Sequence, residues 1–171
     1  VFKRIEDNQP DGFLGINIGP NKETKNKEED YFTCLSRLFK YADYITINIS
    51  SPNTEGLRDF HNQEQMSKLL TGLNKIKKEK KIKQAIAIKI SPDIGDDEIG
   101  RIVELVKSHK IQGIIVSNTT DNNRENLSDI KKNEVGGVSG QPLKDISTNL
   151  IKKFYKETKG QIKIIGVGGV D

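Results

Sequence analysis

Five short apolar runs, each closed by small polar, cationic or glycine residues, alternate along the chain with stretches of helical period. The runs are 13–18, 44–49, 85–90, 113–116 and 162–167. Runs of this length, rich in β-branched side chains, read as strands. Stretches 26–40, 63–79, 96–109 and 143–158 instead place apolar residues three and four apart. Met66, Leu69, Leu70, Leu73 and Ile76, for example, fall on one helical face. Strand and helix in strict alternation predict a parallel α/β sheet with right-handed crossovers. The carboxyl ends of parallel strands lie on one face, and the chemistry of such proteins collects there. The clusters at these ends should therefore converge on one site. They are Asn17; Asn48, Ser50, Ser51 and Asn53; Lys89; Ser117, Asn118, Thr119 and Thr120; and Gly166, Gly168 and Gly169. Alternation alone does not choose between an open sheet and a barrel. A closed eight-stranded barrel takes about 250 residues, so five strands make at most part of one.

The rest of the chain reads as connection. Residues 1–12 form a polar lead-in outside the sheet, with Pro10 and Gly12 marking a turn, and 121–135 form a polar excursion. Gly160 is placed to stop the last helix. Asp93, Asp96 and Asp97 suit a turn and a helix N-cap better than a metal site. The run 85–90, apolar up to Lys89, has the pattern of a strand covered on both faces.

Composition narrows the function classes. Cys34 is the only cysteine, which leaves no disulfide framework, and its helical surroundings mark it as core filler. No segment approaches the ~20 apolar residues of a membrane span. Neither a signal peptide nor another targeting segment is visible, and a chain opening on Val1 reads as a fragment or a processed product. Lys+Arg 28 against Asp+Glu 24 gives a net charge of +4, concentrated in Lys75, Lys77, Lys78, Lys80, Lys81 and Lys83. That run has no interleaved aromatics to stack bases, so it reads as a solvated helix end, and no nucleic-acid partner is expected. His61 and His109 are the only histidines and belong to no metal-binding pattern. A catalytic base therefore has to come from Ser, Lys, Asp or Glu.

Each strand-end cluster has a ligand-binding and a purely local reading. Two Asn flanking two Ser in 48–53 can hold a planar polar ligand, or can bond their own backbone in a turn. Residues 117–120 repeat that chemistry at another strand end. Lys89 closes a buried strand, where a cation is costly unless it meets an anion, although its stem could also carry it to solvent. The glycines of 136–140 and 166–169 can bring backbone amides close to a phosphate or simply form tight turns. The helix following the first group adds its dipole.

Six stretches occur in an order that carries a family resemblance: LGINIGPNK at 14–22, NISSPNTEGLR at 48–58, KISPD at 89–93, IIVSNTT at 114–120, GGVSGQPL at 136–143 and IIGVGGV at 164–170. Together they resemble the class 2 dihydroorotate dehydrogenases, over nearly everything from Leu14 to Val170. The resemblance implies an FMN-dependent (β/α)8 barrel that oxidises dihydroorotate to orotate in pyrimidine synthesis and passes electrons to a membrane quinone. It implies that this chain is a partial barrel supplying the third to seventh strands, as a single FMN-binding domain over 1–171. Ser51 then matches the base that takes a proton from carbon 5 of dihydroorotate, where class 1 enzymes carry Cys. Asn48, Asn53, Asn118 and Thr119 match the polar cage around the pyrimidine. Asn17, Asn48, Lys89 and Ser117 match flavin contacts, and Gly140, Gly168 and Gly169 match the loops that approach the flavin and its phosphate.

The family's first two strands, its last strand and phosphate loop, and its amino-terminal quinone-binding helices have no counterpart in these residues. Its substrate-contacting segment ahead of the third strand also lacks one, since 10–12 run almost directly into Phe13. The resemblance places the parent protein peripherally on an inner membrane, bacterial on the cytoplasmic face or mitochondrial. The alternative expectation is an inactive truncated barrel with little or no FMN binding.

Overall fold

A computed structural model of the chain describes residues 2–8, 11–54, 56–122, 124–125, 127–128 and 130–170. Pro10, part of the expected early turn, lies outside the described residues. The five strands are β1 (Gly15–Ile18), β2 (Tyr44–Asn48), β3 (Ala85–Lys89), β4 (Gly113–Val116) and β5 (Lys163–Gly166). They are all parallel and lie side by side in chain order. The short helix α1 (Phe2–Asp7) precedes them, and α2 (Lys27–Leu38), α3 (Gln63–Glu79), α4 (Asp96–Ser108) and α5 (Lys144–Thr158) make the crossovers.

Sequential strand order decides what alternation left open. A doubly wound sheet reverses its order at a switch point and carries helices on both faces. Here no reversal occurs, and α2 packs on α3, α3 on α4 and α4 on α5 in one layer. This is the wall of a barrel, with five of its parallel strands.

The strand register separates two faces. Ile16, Ile45 and Ile86 lie level across β1–β3, and Ile18, Ile47, Ile88, Ile114 and Ile164 lie level two residues further on. Both rows join the helix side chains in one core that includes Tyr31, Leu35, Met66, Leu70, Leu73, Val103, Val106 and Phe154. Each buried Ile or Leu contributes roughly 1.5–3 kcal/mol, so these rows dominate the stability of the layer. The opposite face carries Asn17, Thr46, Ala87, Gly113 and Lys163 in one row, and Asn48, Lys89, Ile115 and Ile165 in the next. The two-sided burial expected of β3 covers Ile86, Ala87 and Ile88, whereas β4 is buried along its whole length.

The helices form where the apolar spacing placed them, with particular start and stop signals. Asn26 and Asn62 accept hydrogen bonds from the backbone N–H of Glu29 and Glu64. For α4 the expected Asp cap is absent. Gly95 stands at that position, and the Glu98 carboxylate accepts its N–H at 2.7 Å. Asp96 and Asp97 occupy the first turn, where they complement the helix dipole. After α5 the chain reverses at Lys159 (φ 52°), one residue before Gly160 (φ 71°). Lys81 and Lys110 adopt the same left-handed conformation after α3 and α4. Close approach of α2 and α3 depends on Gly72, since a Cβ there would run into the Phe32 ring. Cys34 is partly buried against this core, and burial and then Asp30 push its thiol pKa up, as suits filler.

The lead-in contains a helix that its polar sequence conceals. Phe2 of α1 meets the Tyr41 ring edge-on at 5.7 Å, and Tyr41 Oη donates to Glu6 at 3.0 Å. These contacts dock α1 beside the end of α2 and bury none of its residues.

The isoleucine rows generate a prediction. Replacing Ile88 by Ala in the intact protein should cost about 2–5 kcal/mol, because it opens a cavity in the middle of the core layer. Denaturant unfolding with an unchanged slope should show it, and a loss well under 1 kcal/mol would contradict this account of the core.

Candidate active site

The strand-end row of the uncovered face is the floor of the site. Asn48 and Lys89 are register partners across β2 and β3, and Asn17 stands one row lower on β1. Lys89 is half-buried at the end of the apolar run Ala85–Ile88, and burial pushes its ammonium pKa below the ordinary value. Its ammonium has no hydrogen-bond or ion-pair partner among the described residues. It is thus a cation held near apolar surface with no described group to neutralise it, and the site favours an anionic or electron-rich ligand.

Asn48 is fixed at two points. Its carbonyl accepts the hydroxyl of Tyr31 at 2.5 Å. Tyr31 is fully buried on α2, and burial pushes its phenol pKa up, which keeps it a neutral donor. The Asn48 side-chain oxygen accepts from Ser50 N at 3.2 Å, Ser50 Oγ at 2.9 Å and Asn118 Nδ2 at 3.4 Å. Asn118 Nδ2 also donates to Ser50 Oγ at 3.0 Å, and Asn118 Oδ1 accepts Thr119 N–H at 2.8 Å. The ends of β2 and β4 are thereby joined across β3. The Nδ2 of Asn48 and the side chains of Asn17, Asn53 and Thr119 have no hydrogen-bond partner among the described residues.

The two adjacent serines divide their roles. Ser50 is completely buried and bonded to both asparagines. Ser51 is part-exposed, and its Oγ accepts only the N–H of Asn53, at 3.3 Å. The hydroxyl proton of Ser51 is therefore uncommitted, while Ser50 is a structural bridge. No titratable side chain hydrogen-bonds Ser51 among the described residues. Ser117, expected at the ligand, is buried, with its hydroxyl donating to the Asn118 carbonyl at 3.1 Å. It has to rotate to reach a ligand by its side chain.

The glycine loops meet at the amino end of α5. Gly140 (φ 77°) precedes the turn Gln141–Leu143 that leads into this helix. Beyond β5, Gly169 (φ 68°) lies so close that a Cβ would sit 2.6 Å from Lys144 N. Buried Ser147 ties the two together by donating to the Val167 carbonyl at 2.9 Å. Both loops are next to the end of β4, as convergence at the strand ends requires.

Around this floor runs a second ring that spacing did not reveal. Arg58 Nη1 donates to Asp121 at 2.6 Å, and Nη2 lies 3.1 Å from Asp93. Thr120 Oγ1 donates to the other oxygen of Asp93. Burial works against the Asp121 charge, but the hydrogen bond and charge of Arg58 hold its carboxyl below the ordinary carboxylate range. Partners 35 and 63 positions apart leave no short-range signal in a single sequence. In the excursion 121–135, Asn123, Asn126 and Asp129 lie outside the described residues. Arg124 gathers the rest by donating to the carbonyls of Lys132 at 2.8 Å and Glu134 at 2.9 Å.

His61 completes the ring. It is buried, its Nε2 accepts Ser91 N–H at 3.2 Å, and its Nδ1–H donates to the Arg58 carbonyl at 2.9 Å. That pair of bonds requires the neutral ring.

A one-layer wall of parallel strands and helices, with polar side chains gathered at its strand ends, defines a barrel protein. The chain belongs to the dihydroorotate dehydrogenase family: a family model described as "Dihydroorotate dehydrogenase" matches residues 2–171. A Vibrio cholerae protein named "Dihydroorotate dehydrogenase (quinone)" is 45% identical over 168 residues, covering 94% of this chain and 50% of that protein. A Pasteurella multocida protein of the same name is 44% identical over 178 residues, covering all of this chain and 52% of its own length. The crystal structure of DHODH from Eimeria tenella in complex with ferulenol superposes with a TM-score of 0.90 at 34% identity. It covers 99% of this chain and 50% of that one. The chain thus spans about half the length of the curated relatives it matches, consistent with a partial (β/α)8 barrel.

His61 generates a prediction with a definite sign. Burial is the main cause holding its pKa below the ordinary 6.5. Above pH 6.5 both folded and unfolded rings are neutral, and the contribution to stability is present in full. As pH falls below 6.5, the unfolded chain binds a proton that the folded one resists, so stability is lost down to the folded pKa. The thermal midpoint of the intact protein should fall between pH 7 and 5, and His61→Gln should flatten that decline. Parallel pH profiles for the two proteins would contradict the assignment.

Proposed function

We propose that this chain carries the flavin and substrate face of a quinone-dependent dihydroorotate dehydrogenase, oxidising dihydroorotate to orotate in pyrimidine biosynthesis. The observation that carries the reading is the uncompensated Lys89 ammonium, level with Asn48 on the strand-end row. Unpartnered amide and hydroxyl groups around it fit planar polar rings that carry or acquire negative charge, as the carboxylate-bearing ring of orotate does and the ring of FMN does on reduction. FMN, when bound, supplies the two-electron acceptor for the oxidation. Lys89 steadies negative charge on that ring by a preorganised electrostatic contact. Asn17, the Nδ2 of Asn48 and the Ser117 strand end supply donors beside it, and the loops at Gly140, Gly168 and Gly169 approach the phosphate.

Asn48, Asn53, Asn118 and Thr119 orient the pyrimidine. Ser51 takes the proton from carbon 5, and Asn53 N–H, already bonded to its Oγ, stabilises the oxygen as charge develops there. A serine hydroxyl is a weak base, and among the described residues no titratable side chain hydrogen-bonds it, so its own proton must pass to water as it takes the proton from carbon 5. The quinone acceptor is proposed from the names of the relatives, and peripheral attachment of the parent to an inner membrane follows as a proposal from the lipid-phase location of a quinone. Among the described residues no helix is long and apolar enough to cross a membrane.

A second reading rests on the uncovered face. Phe13 is 81% exposed and Ile165 41%, so the 171 residues alone leave apolar surface in water. On that reading the isolated chain holds little FMN, and the absence of yellow colour in its purified form would separate it from the first.

Two substitutions in the intact protein test the assignment. Ser51→Ala should leave flavin bound but slow its reduction by dihydroorotate by about a hundredfold or more, read by rapid-mixing absorbance. A wild-type reduction rate would remove Ser51 from the role. Lys89→Ala should lower FMN occupancy after dialysis and slow reduction of what remains. Unchanged occupancy and rate would mean that the ammonium merely reaches solvent.

A further inference from the structure

We infer that Arg58 is a positioning residue, which sets the Ser51 loop against the Asn118–Thr119 strand end by gripping Asp93 and Asp121. The inference rests on the reading of Ser51 and the asparagine cage given above. The loop between β2 and α3 is anchored at its two ends. At the first, Asn118 Nδ2 holds Ser50 Oγ and Asn48 Oδ1. At the second, the Arg58 side chain reaches Asp93 and Asp121, and the Arg58 carbonyl is held by His61. Between them the described hydrogen bonds are local ones, Asn53 N to Ser51 Oγ and Leu57 N to the Thr54 carbonyl. Among the described residues no other hydrogen bond in that stretch fixes Ser51 relative to the rest of the site, and Leu57, next to Arg58, is the side chain it buries in the core.

Both anchors lead to the same strand end. Asn118 and Asp121 flank Thr119 and Thr120 beyond β4, and Asp93, gripped by Arg58, accepts from Thr120. The side-chain exposure of Arg58 is 28% and of Asp93 10%, so this is not a solvated surface pair. A guanidinium spans two carboxylates on different loops because its nitrogens diverge in one plane, which a lysine cannot reproduce. Arg58 Nη2 and Asp93 Oδ2 are close in charge contact yet not aligned as a hydrogen bond, and Arg58 Nε has no hydrogen-bond partner. The grip on Asp93 is thus electrostatic, with the aligned bond made to Asp121. Lys89 and the glycines of 166–169 take no part in the ring, and the 136–140 loop meets it through the backbone bridge between Thr120 and Val138. Loss of Arg58 should therefore disturb proton removal at Ser51 and substrate orientation while sparing the flavin contacts.

The test compares the two half-reactions of the intact, FMN-loaded protein. In Arg58→Met, reduction of the flavin by dihydroorotate should slow by about tenfold or more, since small misplacements of reacting groups carry penalties of that size. FMN occupancy, and the rate at which a dye acceptor reoxidises the reduced protein, should stay within about twofold of wild type, because Lys89 and the glycines of 166–169 lie outside the ring and the Thr120–Val138 backbone bridge does not depend on Arg58. Arg58→Lys, which keeps the charge without the fork, should fall between the two, and it serves as the test protein if the Met variant does not fold. Reduction at the wild-type rate in these variants would overturn the inference. So would slowing matched by an equal loss of occupancy or of reoxidation, which is general disruption. If the wild-type flavin is itself not reduced by dihydroorotate, the functional reading fails, independently of Arg58.

Discussion

A slip of one residue in the β2–β3 register would turn either Asn48 or Lys89 into the helix layer and bring Ile47 or Ile88, on the same strand, to the uncovered face. The site depends on that slip being forbidden. Strand side chains alternate faces, so a single shift exchanges the whole apolar set for the polar one. Ile45 with Ile86, and Ile47 with Ile88, are fully buried pairs beneath α2, α3 and α4. Burying them is what holds Asn48 level with Lys89. Core packing and ligand chemistry are thus two consequences of one register.

Above the register, polar groups are sorted by whether the protein itself satisfies them. Ser50, His61, Ser91, Ser117, Thr120 and Ser147 are buried, and each has a hydrogen-bond partner. They fasten one loop to the next. Among the described residues the Lys89 ammonium, the Nδ2 of Asn48 and the amides of Asn17 and Asn53 have no partner, and they lie on the strand-end side. Apart from the Arg58–Asp93 charge contact, whose facing atoms make no aligned hydrogen bond, those buried groups are satisfied, and the open groups on the strand-end side are available to a ligand.

Much of this is legible in the sequence. The helical spacing of 63–79 marked α3 to the residue, and 113–116 marked β4 likewise, because both carry uninterrupted apolar patterns. Strand runs such as 13–18 were read too long, since periodicity does not say where backbone pairing begins. The helix α1 escaped notice because it buries nothing, and the cap of α4 was assigned to Asp where Gly95 stands with Glu98. In the site, Asn48, Ser51, Lys89 and Asn118 announced themselves as strand-end residues. Arg58, His61 and Asp93 did not, because their meaning lies in contacts between separate loops. Nor could residue type alone separate Ser50 from Ser51, a distinction that burial makes.

The most direct test of the account is a crystal structure of the intact protein with FMN and orotate bound. The account predicts the flavin ring against Lys89 and Asn17 on the uncovered face, and orotate held by the amides of Asn48 and Asn118. It predicts Ser51 Oγ turned to the ring carbon that loses its proton in the reaction. Flavin bound elsewhere, or a Lys89 ammonium paired with a protein carboxylate and remote from any ligand, would contradict it.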